Sequence, residues 1–299
     1  MADRMGVLRP APRLTLLLAR RIAETTSGNS AFLLVFLRAA RRAGLDLRLV
    51  FAPRRSFGNK PWASVHPAFF DLGAVVDWPG ALRFGRLYVS PSPLVWSRFA
   101  GRLMQEGLRR AGLKLCRWTK VHSALGDPLG RREAARLAQA ADREPTDLVV
   151  AEYSPLGPVL QHLRRPARTG VFIHDLFSLR AEAFLAQGRR PDYTLMTLEQ
   201  EAELVAHADA LFFASANERD RLRRLIPHAR SVWVRPEIPR HPLAPREGPA
   251  RCVFLGTRHA GNADAMAHLI DDIWPLVRQR RPDAELWIAG STCRDLTPQ

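Results

Sequence analysis

The sequence predicts an α/β protein: a Rossmann-like parallel-sheet domain followed by the start of a second Rossmann-like domain. Three observations predict it. The first fifty residues hold a strand, a polar turn, a helix and a second strand, the seed of a parallel sheet. The same rhythm returns from Asp147 to Val234. Between Pro236 and Pro249, five of the chain's 23 prolines fall in fourteen residues, and a fresh strand–helix–strand unit begins beyond them. The expected domains are therefore residues 1–235, a linker over 236–249, and a partial domain over 250–299.

In order, Arg13–Arg20 reads as a buried strand, and Glu24–Ser30 as a polar turn. Ala31–Ala43 has helical periodicity and ends at Gly44, a good C-terminal cap. Leu45–Phe51 is a second strand, stopped by Pro53. Arg54–Pro67 reads as a loop, with Trp62, Trp78, Trp96 and Trp118 punctuating the region beyond. Ser97–Trp118 has the pattern of a basic amphipathic helix, and Arg131–Arg143 that of a helix ended by Pro145. Strands follow at Asp147–Glu152, Thr169–His174, Ala210–Ala214 and Ser231–Val234. Helices are expected at Pro155–Arg164, Thr194–His207 and Asn217–Leu225. After the linker come strand Arg251–Leu255, helix Ala263–Arg280 and strand Glu285–Ala289.

The net charge is +16, and only three of the 45 basic residues are lysine. Such a balance is compatible with a biased coding sequence or with a surface for anionic partners: membrane lipid, a phosphate-bearing substrate or nucleic acid. No nucleic-acid motif supports the last, and no nucleic-acid partner is expected. Cys116, Cys252 and Cys293 are sparse and far apart, which argues against a disulfide framework or a zinc site and fits a reducing cytoplasm. The apolar run Leu14–Ala19 is too short for a secretory leader, and no stretch reaches the roughly 20 apolar residues of a membrane span. A cytoplasmic protein is expected, with peripheral contact to the inner face of the plasma membrane as an option. No serine–histidine–aspartate arrangement, metal-ligand spacing or Walker loop occurs, so the sequence makes no case for a hydrolase, metalloenzyme or ATPase.

Some candidate residues stand on their own position. Glu152 with Tyr153, and His174, end predicted parallel strands, where ligands bind in open α/β sheets, and Glu152 and Tyr153 could contact an acceptor there. Asp175 could orient the His174 ring or cap the next segment. Arg180 could reach phosphate or acceptor, or pair with Glu182. The turn Thr26–Asn29 is either a loop near substrate or an ordinary Ser/Asn cap. Glu201, Glu203 and Asp209 read as a solvated or capping face, and Ser215 with Glu218 as a structural capping box.

Several stretches in order carry a family resemblance: VFIHDLFSLRAEAF (171–184), EQEAELVAHADALFFASANERDRL (199–222), SVWVRPEI (231–238), CVFLGTRHAGNADAM (252–266) and DDIWPLVRQRRPDAELWIAGS (271–291). Over roughly residues 145–291 the chain resembles the retaining GT-B glycosyltransferases often called family 4. The resemblance is weaker over the first fifty residues and absent over 54–127. It implies transfer of a sugar from a UDP- or GDP-sugar to a glycan or lipid-linked acceptor, with no metal and no bound cofactor. It implies catalytic roles for His174 and Asp175, and diphosphate contacts from Gly28, Gly256, Arg258 and Asn262. Acceptor or phosphate contacts would come from Ser27, Asn29, Glu152 and Arg180. The family grips its donor with a Glu-x7-Glu stretch that does not occur before Gln299. The resemblance therefore implies a C-terminally incomplete enzyme or, alternatively, a non-catalytic relative that binds a glycan or an anionic membrane surface.

Overall fold

The computed structural model describes residues 11–25, 27–111, 125–165, 167–186, 188, 191, 193–235, 248–257 and 260–295. It divides into two units, Met1–Glu237 and Ile238–Gln299. Most of the expected linker and all of residues 112–124 lie outside the described residues.

The first unit opens with β1 (Arg13–Leu18), α1 (Gly28–Arg42) and β2 (Asp46–Phe51). The loop expected over 54–67 holds a 3-10 turn (Arg55–Phe57) and β3 (Trp62–Ser64). Then come α2 (Pro67–Asp71), β4 (Val75–Asp77), β5 (Leu82–Phe84), β6 (Leu87–Val89) and α3 (Pro93–Arg110). The regular half contains α4 (Arg131–Ala141), β7 (Leu148–Glu152), β8 (Arg168–Ile173), α5 (Phe177–Ala186), α6 (Leu198–Val205), β9 (Ala210–Phe213), α7 (Ala216–Leu222) and β10 (Arg230–Trp233).

Seven strands form one parallel sheet in the order β10-β9-β8-β7-β1-β2-β4. Alternation along β1 divides the core. Leu14, Leu16 and Leu18 pack with Leu33 and Leu37 of α1 on one face, while Leu17 packs with Leu137 and Ala141 of α4 on the other. Both faces are thus covered, which is why the strands read as continuous apolar runs. The parallel α/β class expected from the sequence is the one observed.

Pro155–Arg164 is not an α-helix. It is a 3-10 stretch, Ser154–His162, because Pro155 and Pro158 remove amide donors from the helical ladder. The helix expected from Ser97 begins earlier, at Pro93, and α5 occupies a stretch where no helix is predicted.

Arg48 of β2 is a buried charge. Its guanidinium donates to Asp77 at 2.7 Å and to the last carbonyls of α4, Ala140 and Ala141, at 2.8 and 2.9 Å. A cation suits that helix end, where unpaired carbonyls concentrate negative potential.

The second unit is β11 (Arg251–Leu255), α8 (Ala260–His268), α9 (Trp274–Arg280) and β12 (Glu285–Ala289), with β11 and β12 parallel. The single helix expected over 263–280 is interrupted by a π turn, Leu269–Ile273. Pro275 follows immediately, and it has no N–H to donate back into the preceding turn.

Candidate active site at the strand reversal

The order of the large sheet reverses between β1 and β7: β2 and β4 extend one way from β1, and β8, β9 and β10 the other way from β7. Crevices outside the carboxyl ends of strands at such a point are where open α/β sheets bind ligands. Three polar side chains meet there. Arg20 lies two residues beyond β1, Glu152 ends β7, and His174 follows β8.

Arg20 embraces Glu152. Its Nε lies 3.0 and 3.1 Å from the two carboxylate oxygens, and Nη2 is 2.7 Å from Oε1. The same Oε1 is 3.1 Å from His174 Nε2. Arg20 also donates to Ser30 Oγ at 2.8 Å, tying the group to the first turn of α1. The Glu152 side chain has no exposure, His174 3% and Arg20 11%.

Burial alone would raise the Glu152 carboxyl. The Arg20 charge and then the His174 hydrogen bond outweigh it and hold the group below the ordinary carboxylate range. Arg20 is raised despite its burial, by the Glu152 charge. An ionised carboxylate only accepts, so the His174 Nε2 must be the donor in this bond. In the neutral ring, Nδ1 then carries the lone pair.

Aromatic rings fix the imidazole. Phe172 meets it edge-on with centroids 4.6 Å apart, and Tyr153 lies 4.7 Å away. Tyr153 is buried at φ +69°, the left-handed region that side chains rarely adopt, and its hydroxyl accepts a hydrogen bond from Asn29 Nδ2. Burial pushes the Tyr153 hydroxyl well above its usual pKa.

Asn29 is thus drawn to the group through Tyr153. Ser27 takes the N-cap position of α1 with no side-chain cap bond, so it is not an ordinary serine cap. Gly28 opens α1 with no heavy atom within 4 Å of where a Cβ would stand. Asp175 pairs with Arg180 at 3.3 Å.

Of the solvated or capping roles expected for Glu201, the structure shows capping. Fully buried on α6, its carboxylate accepts from Phe177 N at 3.0 Å, Ser178 N at 2.8 Å, Ser178 Oγ at 2.7 Å and Ser154 Oγ. It caps α5 from a neighbouring helix. Asp209 accepts from Thr169 N of β8 at 2.7 Å. Ser215 caps α7 through Glu218 N, as expected.

An open groove of about 530 Å³ runs between α5 and α7, lined by residues including Glu182, Ser215, Asn217, Glu218 and Arg221. It includes neither His174 nor Glu152.

In the second unit, Gly256 follows β11, and its carbonyl packs so tightly under Gly290 that a Cβ there would collide with it. Asn262 Nδ2, in α8, donates to Thr257 O at 2.8 Å. Arg258 lies outside the described residues.

Arg20 is the member that sequence reasoning did not single out; Tyr153 was expected beside Glu152 at the strand end, and that is where it lies. For Arg20 the available signal was a charge directly after a buried apolar strand.

No family model and no curated protein matches the chain. Solved structures similar to it include a sucrose-phosphate synthase from Thermosynechococcus elongatus, at 13% identity and a TM-score of 0.46, covering 94% of this chain and 71% of that one. An OtsA apo structure has 14% identity and a TM-score of 0.45, covering 94% and 65%. An α,α-trehalose-phosphate synthase (UDP-forming) from Burkholderia vietnamiensis has 13% identity and a TM-score of 0.46, covering 95% and 65%. The chain thus spans about two thirds of the length of these proteins.

Proposed function

We propose that this chain carries the acceptor-side domain, and the opening strands of the donor-side domain, of a retaining GT-B-type glycosyltransferase. It would transfer a sugar from a UDP- or GDP-sugar to a glycan or lipid-linked acceptor in the cytoplasm. The observation that carries the reading is the Arg20–Glu152–His174 chain at the strand-order reversal. Its support from sequence is the ordered set of stretches between residues 145 and 291.

Transfer breaks the bond between the sugar's anomeric carbon and the nucleoside diphosphate, and forms one to an acceptor hydroxyl. Negative charge grows on the departing phosphates, so fixed donors aimed there do most to speed the step. The amides at the start of α1, left open by Gly28, are suited to that; the family resemblance assigns Gly256, Arg258 and Asn262 to the same diphosphate. Arg20 and Glu152 would act as positioning residues: they hold the His174 ring, fix its tautomer and leave Nδ1 to meet a sugar hydroxyl. Asp175 and Arg180 would contact substrate or one another's partners beside it.

Calorimetric titration with UDP, GDP and their common sugar conjugates tests the reading. Micromolar binding of one nucleotide, weakened at least tenfold in Arg258→Ala, supports it. Donor turnover lost in His174→Ala, in a protein that still binds nucleotide, assigns the catalytic role. A folded chain that binds none of these ligands would sink the enzymatic reading.

A further inference from the structure

The small antiparallel sheet β3-β6-β5 has an inverted outer face. Side chains alternate across a strand, so Ala63 and Tyr88 point inward, where both are buried. The opposite face carries Trp62, Leu82, Phe84, Leu87 and Val89, with Ser64 as its polar member. Trp62, Leu82, Phe84 and Leu87 are 38–63% exposed. Antiparallel sheets packed on one side ordinarily turn polar residues to water on the other.

The two-residue hairpin Gly85–Arg86 joins β5 to β6, with Gly85 at φ +60°, and puts Phe84 beside Leu87 at its tip. The apolar surface continues onto α3. Trp62 packs against Phe99 and Trp96 with centroids 4.9 and 6.3 Å apart, and Leu103 and Met104, both 57% exposed, extend that flank. Val95 anchors the helix in the core.

Positive charge surrounds this surface. Arg86 and Lys60 are exposed near the sheet, and Arg98 and Arg102 are exposed on α3. Glu106 is the helix's one acidic residue and pairs with Arg110. The arginines are crowded as well: burial and then the Arg102 charge lower the pKa of Arg21, and burial with Arg98 lowers that of Arg55 against the pull of Glu133 and Asp127. Like charges gathered beside a bare apolar face favour an anionic occupant. A second copy of the chain would bring two such arginine rims together, which disfavours it.

We propose that the outer face of β3-β6-β5, with the aromatic flank of α3, lies on an anionic lipid bilayer. Trp62 and Trp96 suit the boundary between acyl chains and headgroups, and the arginines reach lipid phosphates around them. The attachment is interfacial: among the described residues, no helix is long and apolar enough to cross a membrane.

Co-sedimentation of the full chain with phosphatidylcholine vesicles, with and without phosphatidylglycerol, tests this. The chain should partition onto the anionic vesicles at least tenfold more strongly, and added salt should release it. Phe84→Ser with Leu87→Ser, both at exposed positions, should weaken partitioning at least tenfold. Arg98→Gln with Arg102→Gln should weaken it about fivefold per arginine. Circular dichroism should show both variants folded. The proposal falls if the parent chain binds neither vesicle, if it binds both equally, or if the Phe84/Leu87 variant binds undiminished. It falls also if the chain is a dimer that Phe84→Ser splits, since a second copy then owns the face. Vesicle binding requires no sugar donor, so its failure would leave the transferase reading standing.

Discussion

Arg20 closes on Glu152 across the β1–β7 pair, with Nη2 2.7 Å from Oε1, and His174 Nε2 shares that oxygen at 3.1 Å. The carboxylate sits between two donors and has no contact with water. Its folded pKa is depressed, so it binds its proton more weakly folded than unfolded. The stability it contributes is present above the unfolded value, about 4.3, and is lost as pH falls through the folded one. Glu152→Gln should cost about 3–5 kcal/mol at pH 7, because it strands the buried Arg20 charge. It should also flatten the acid limb. Urea denaturation at pH 7 and at about pH 3.5 checks both, and equal slopes for the two proteins would refute the coupling.

Glu201 holds three elements together, since one carboxylate accepts from the 3-10 stretch at Ser154 and from the first amides of α5. Glu201→Ala should lower stability by about 3 kcal/mol, leaving buried donors without partners. Thermal unfolding reads the loss. The same variant should loosen the start of α5, seen as faster amide exchange at Phe177 and Ser178. A loss of stability with those amides still protected would assign Glu201 to packing instead of capping.

The strand–helix rhythm was legible because parallel strands buried on both faces are written as apolar runs, and His174 stood out by its place at the end of one. Arg20 was not legible. It is one of 42 arginines, and what distinguishes it is the neighbouring strand β7, more than 130 residues away in sequence. Which of the two roles Glu201 takes was not legible for a related reason: in EQEAELV three glutamates look alike, and only the tertiary approach of α5 buries one of them. The 3-10 stretch could have been foreseen from Pro155 and Pro158. The outward face of β3-β6-β5 could not, because three-residue strands carry too little periodicity to declare a face.

Glu218 behaves in the opposite sense to Glu152. Burial foremost, with the nearby charges of Asp175 and Glu201, pushes it up to about 7 against the Leu176 amide and Arg221, and its Oε2 has no hydrogen-bond partner. A raised carboxyl contributes stability that is whole below the unfolded value, about 4.3, and lost as pH rises through about 7. Glu218→Gln mimics the protonated form. It should match the parent below about pH 4 and exceed it at pH 8, by no more than about 1 kcal/mol because the group is partly in water. Melting temperatures across that range decide it, and a variant less stable at pH 8 would reverse the assignment.

Gly157 marks where the 3-10 stretch and α6 meet most closely. A Cβ at this position would collide with the Leu204 carbonyl oxygen, which is backbone and cannot rotate away. Pro155 and Pro158 stiffen the chain on either side, so the stretch has little freedom to retreat. Gly157→Ala should therefore cost about 1–3 kcal/mol, the usual range for overpacking a filled interior, although alanine normally stabilises a chain by restricting its unfolded state. α6 also carries Glu201, so displacing it should disturb the α5 cap, and the effects of Gly157→Ala and Glu201→Ala should be less than additive. A double-mutant cycle by urea denaturation measures this. Strict additivity would mean that the helix absorbs the extra methyl group without moving the carboxylate.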